Sequence, residues 1–203
     1  MTDLWERCRR RDASLNEIVA AFEAEGDVSE LVAVARREED RRSALYVVAE
    51  LPTETSRPVW KFALDYVADP DDRTAFYALD ILHSFLGEVG AHEFLLVLKS
   101  TRLASTVLFV KLFAIMLSAP ESLLRRSLEL SREEMLAGHS EGLARLVSGV
   151  RTPAAEVRSM LKQPRLVTRF YGCCLVGRHY SQDKSLRSLL PERVERRLAL
   201  HEE

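Results

Sequence analysis

The chain has 203 residues, of which 47% are hydrophobic and 30% charged, with 29 Lys and Arg against 31 Asp and Glu. Such a composition belongs to a folded globular chain rather than a disordered tail, and the length suits one large domain spanning residues 1–203. A net charge of −2 excludes a chain that holds nucleic acid by bulk charge alone, and three cysteines are too few for a disulfide framework.

The first elements to read are those that would target the chain. Arg7, Arg9, Arg10 and Arg11 are followed by no apolar stretch of the signal-peptide kind. The longest apolar run, residues 107–117, spans 11 residues and contains Lys111. A membrane span requires about 20. That run is therefore expected as a buried core helix, and the chain is expected in the cytoplasm.

Leu (31) and Ala (21) dominate, while Gly (8) and Pro (7) are sparse. Good helix formers with few breakers predict an all-α chain of about ten to twelve short helices. Helix starts are expected at the capping-box pairs Ser14–Glu17, Asp27–Glu30, Ser118–Glu121 and Ser131–Glu134. Asp69-Pro70 and Thr152-Pro153 read as a cap followed by proline in the first turn.

A repeat runs along the apolar helices. Residues 44–51 read ALYVVAEL, residues 75–82 read AFYALDIL and residues 107–114 read VLFVKLFA. Their aromatic anchors, Tyr46, Tyr77 and Phe109, are spaced by 31 and then 32 residues. Residues 143–150 and 170–176 fill two further slots less regularly. Second helices are expected at 58–68, 88–99, 121–130, 153–162 and 184–200. A two-helix period of this size is what an α-solenoid requires, because each hairpin buries its apolar face only against its neighbours. The expected core contains Leu45, Val48, Leu79, Leu82, Leu108, Leu112, Leu146 and Leu175.

Residues 68–82, ADPDDRTAFYALDIL, resemble the HEAT-like repeat, with Asp69, Pro70, Asp71 and Arg73 at its turn and helix start. Asp40-Arg41-Arg42 ahead of residues 43–51 matches in part, lacking the proline. The resemblance implies a curved stack of about five helical hairpins that binds partners along its concave face. The alternative fold is an irregular helical bundle. Charge is split along the chain, with a net −7 over residues 12–40 and a net +7 over residues 145–187. In a stack, these segments would lie at opposite ends.

No glycine-rich phosphate loop, G-x-S-x-G elbow or H-E-x-x-H helix occurs. His83, His92, His139, His179 and His201 share no ligand spacing, so no catalytic residue, metal or cofactor is expected. Cys173-Cys174 falls in an apolar helix and reads as core packing. Cys8 stands between arginines, where an exposed thiol would be acidified. The cluster Asp65, Asp69, Asp71, Asp72 lacks the spacing of a calcium loop and reads as helix capping.

The candidate partner-binding residues are Trp60, Asp65, Arg158, Lys162, Arg165 and Arg169. The four cations form two pairs at a spacing of four, so two neighbouring helices would present one basic row. Trp60 would be a hot spot if a second helix exposed it on the concave side. The sequence therefore points to a non-enzymatic protein-binding module, in a narrower form a small bacterial inhibitor, immunity or adaptor protein. The resemblance also implies an alternative, a DNA-binding protein or alkylpurine DNA glycosylase, since Trp60 and Asp65 share one expected helix. The overall acidity departs from that pattern.

Overall fold

The computed structural model describes residue 5 and residues 14–25, 27–134, 136–149 and 152–202. Among these, thirteen α-helices and one 3-10 helix occur and no strand, so the chain is all-α. Cys8 lies outside the described residues. The span expected as a single domain divides into two compact units, residues 1–85 and 86–203.

The first unit contains α1 (Leu15–Glu25), α2 (Ser29–Ala35), α3 (Arg41–Glu50), α4 (Thr53–Ser56), the 3-10 helix Trp60–Tyr66 and α5 (Asp72–Ser84). Helix α3 packs on α1, α2 and α5, and α5 also packs on the 3-10 helix. The two helices that carry the repeated apolar pattern are thus neighbours. Their anchors touch edge to face, with the Tyr46 and Tyr77 rings 5.4 Å apart. Arg41 Nη1 donates to Asp69 Oδ2 at 2.9 Å, joining the two segments that resemble the repeat. The same guanidinium sits 5.3 Å from the Tyr66 ring centroid, and the Tyr66 hydroxyl donates to the Ala35 carbonyl.

The second unit contains α6 (Ala91–Ser100), α7 (Thr106–Ser118), α8 (Glu121–Glu133), α9 (Ala137–Ser148), α10 (Ala154–Leu161), α11 (Leu166–His179), α12 (Lys184–Arg187) and α13 (Glu192–Glu202). Its helices pair as α6 with α8, α8 with α9, α9 with α11 and α10 with α11. Spatial order departs from chain order at α7, which is packed by both α11 and α13. The reason lies in its sequence. Eight of the nine residues from Leu108 to Met116 are buried, and all of them but Lys111 are apolar, so this helix needs cover on nearly every side. No single helix is long and apolar enough to cross a membrane; α7 and α8 together reach that composition but meet at a 114° bend.

Expected helix starts fare unevenly. Ser14 and Glu17 form their reciprocal box. Asp27 accepts from the Ser29 amide instead of boxing with Glu30. Helix α8 begins after Pro120, two residues past the expected cap at Ser118, and Pro120 gives no side-chain cap. Ser131 lies inside α8, where its hydroxyl donates to the Leu128 carbonyl. At α5 the cap is Asp71, which accepts from the Thr74 amide and hydroxyl; Asp69, two residues earlier, accepts from the Asp71 amide and serves Arg41. Pro153 is the residue preceding α10, and Thr152 gives no cap. The expected helix 184–200 is two helices, α12 and α13, separated by Pro191.

All eight expected core residues are buried. Leu79 on α5 is completely so. Leu79→Ala is expected to destabilise the protein by about 2–5 kcal/mol in urea unfolding, the range for emptying a leucine site in a core. A loss below about 0.5 kcal/mol would mean that this face of α5 is not a core face.

Candidate partner-binding surfaces

In a 3-10 helix, positions three apart eclipse one another, so Trp60, Ala63 and Tyr66 share a stripe. That stripe points inward: Ala63 is buried, and Trp60 is 4% exposed with its ring stacked on Phe85 at 5.7 Å and 10°. Burial corrects the expectation that Trp60 faces a partner. An indole carries a large apolar face, and stacking it on Phe85 removes that face from water. Asp65, off this stripe, is exposed. Trp60 and Asp65 therefore share one short helix but not one face.

Three of the four cations expected in a row go to different neighbours, which is a second correction. Arg158 on α10 is exposed and donates to Ser185 Oγ of α12 at 2.9 Å. Lys162 is the exposed residue that ends α10. Arg165 precedes α11, and its guanidinium lies against Gly138 of α9. Arg169, half-buried one turn along, turns to a cavity lined by Phe109 of α7 and Arg193 of α13. The spacing of four predicts faces correctly only within a straight helix, and the chain turns at Pro164 between the two pairs.

That cavity has a volume of about 170 Å³. Leu103, Phe109, Leu166 and Val194 form its apolar wall, and Arg169 and Arg193 supply its charge. The two arginines are 24 residues apart on separate helices, so no local motif announces them. A second depression, about 380 Å³, is lined by Ser181, Gln182, Lys184, Arg187, Ser188 and Glu195. There Arg187 is already neutralised, by Glu195 at 2.6 Å and Glu202 at 2.9 Å.

The remaining reactive side chains serve packing. Cys173 and Cys174 are buried, free thiols in α11. Burial pushes the Cys173 thiol up to about 12 and raises Cys174 as well, so neither forms a thiolate at neutral pH. His139 Nδ1 lies 3.1 Å from the Tyr171 hydroxyl. Burial, and then the nearby Arg165 charge, hold the imidazole below its ordinary pKa. Thr74's hydroxyl holds the Asp71 carboxyl below the usual carboxylate range, the signature of a cap rather than of a general base. Among the described residues no three His, Cys, Asp or Glu side chains converge as a metal site would need.

One structural contact was not legible in sequence. Arg178 near the end of α11 donates through Nη1 to the carbonyls of Met116, Leu117 and Ala119 at 2.7, 3.2 and 2.9 Å. A guanidinium there satisfies the free carbonyls at the C-terminus of α7 and meets the negative end of its dipole. The partners are about 60 residues away, so only the fold brings them together.

Comparison with protein-family models, with curated proteins and with solved structures returns no match.

Proposed function

We propose that this chain is a non-enzymatic protein-binding module built on HEAT-like helical hairpins, of the kind an inhibitor, immunity or adaptor protein uses. The hairpin reading draws support from the first unit, where helices one repeat apart lie side by side and Arg41 ties them to Asp69. For residues 86–203 the central position of α7 favours the irregular helical bundle instead. The observation that carries binding to protein rather than nucleic acid is the dispersal of Arg158, Lys162, Arg165 and Arg169. Phosphate recognition needs cations tracking a backbone. Here three of the cations turn to separate neighbours, and one of them lines a cavity with an apolar wall, the setting of an anchored side chain.

The test is a binding measurement on the full chain. A partner captured by cross-linking is purified, and the complex is titrated with duplex DNA and with salt. The expected result is a complex that DNA does not displace and that weakens only mildly with salt. Micromolar or tighter binding to ordinary duplex DNA at physiological salt, with a steep salt slope that falls when two of the four cations are replaced by Ala, would overturn the reading.

A further inference from the structure

Four arginines of the second unit lie in ion pairs with carboxylates. Arg125 pairs with Glu121, Arg145 with Glu156, Arg187 with Glu195 and Arg196 with Glu192. Arg169 and Arg193 have no such pair among the described residues, and what sets them apart is that both line one cavity with an apolar wall. They arrive on different helices because α11 and α13 both pack on α7. Two cations are thus held beside the apolar wall of Leu103, Phe109, Leu166 and Val194.

Size and chemistry together suggest what would complete this arrangement. An engineered cavity of about 150 Å³ takes a benzene ring, so about 170 Å³ gives room for one aromatic or branched side chain. A free inorganic anion would satisfy the charge while leaving the apolar wall wet. An internal Asp or Glu in a peptide carries its charge and its apolar neighbour on successive residues, which an extended chain sends to opposite sides. A C-terminal residue carries an apolar side chain and a carboxylate on the same Cα. Guanidinium groups match a carboxylate with parallel hydrogen bonds, and their charge is permanent.

On the protein-binding reading, we propose that this cavity receives the C-terminal residue of a partner protein, with its apolar side chain against Phe109 and Leu166 and its carboxylate held by Arg169 and Arg193.

The probe is an N-acetylated triglycine extended by a C-terminal phenylalanine, titrated into the full chain by calorimetry. The comparison compounds are the same peptide as its C-terminal amide, and inorganic phosphate. The free acid is expected to bind about tenfold or more tightly than the amide, the difference a charge-assisted pair supplies. Arg169→Met and Arg193→Met should each remove that preference. Ala104→Phe, which adds a ring among the lining residues and keeps both charges, should abolish binding of acid and amide alike, while Arg126→Ala on α8 should change neither. Thermal midpoints within a few degrees of the parent establish that the variants fold. Equal binding of acid and amide, competition by phosphate as strong as by the acid, or undiminished binding by the Ala104→Phe variant would each overturn the proposal. A protein partner held equally well by the Arg169→Met/Arg193→Met double variant would sink this inference and leave the protein-binding reading standing. Displacement of that partner by duplex DNA would sink the reading itself.

Discussion

Gly142→Ala is expected to be among the most destabilising single substitutions in the chain. A Cβ at position 142 on α9 would fall 2.1–2.5 Å from atoms of the Tyr171 ring, far inside van der Waals contact. The ring cannot step aside, because Tyr171 is completely buried and its neighbours Phe170 and His139 meet it edge to face. Alanine improves helix propensity by up to about 1 kcal/mol, and overpacking a tight core costs about 1–3 kcal/mol or more. The clash here is severe enough to place the net loss at about 2 kcal/mol or above in urea unfolding. Tyr171→Leu removes the ring, so the double variant Gly142→Ala/Tyr171→Leu should be less destabilised than the sum of the singles. A Gly142→Ala protein within about 0.5 kcal/mol of the parent would mean that α9 and α11 do not approach this closely.

Asp69→Ala carries the second large effect. Asp69 is 9% exposed and performs two tasks, accepting from Arg41 through Oδ2 and from the Asp71 amide through Oδ1. Removing it leaves a half-buried guanidinium whose remaining contacts are the Ala35 carbonyl and the Tyr66 ring. Breaking a buried pair from one side costs about 3–5 kcal/mol; Arg41 keeps some access to water, so about 2–4 kcal/mol is expected. Asp69→Asn retains an oxygen for the Asp71 amide but loses the charge, and should fall between parent and Ala. Coupling between Arg41→Ala and Asp69→Ala in a double-mutant cycle is expected above about 1 kcal/mol. Additive losses would show that the two side chains act independently, and would remove the link on which the hairpin reading of residues 41–84 leans.

Both predictions rest on contacts that sequence reading reached only in part. Tyr46 and Tyr77 were legible as equivalent anchors because helical periodicity is a local property of the chain. Their ring contact follows once helices one period apart lie side by side. Asp69 was legible as a turn residue, yet its role as Arg41's partner was not, since capping and ion pairing use the same residue type. The basic cluster shows the converse. A spacing of four located Arg158, Lys162, Arg165 and Arg169, but where each guanidinium points depends on the turn at Pro164 and on what packs beside α10 and α11.

The sequence by itself determined the all-helical class, the positions of most helices and the burial of residues such as Leu79, Leu112 and Leu175. Those depend on composition and on a 3.6-residue period, which any stretch of about ten residues displays. It also determined that α7 must be a core helix, because residues 107–117 are apolar apart from Lys111. Only the tertiary structure decided that Trp60 stacks inward on Phe85, that Arg178 closes the end of α7, and that Arg169 and Arg193 face one cavity. These contacts join residues 24 to 62 apart in sequence. They depend on which helices become neighbours, and that is settled by how the whole set of apolar faces can be covered at once rather than by any local pattern.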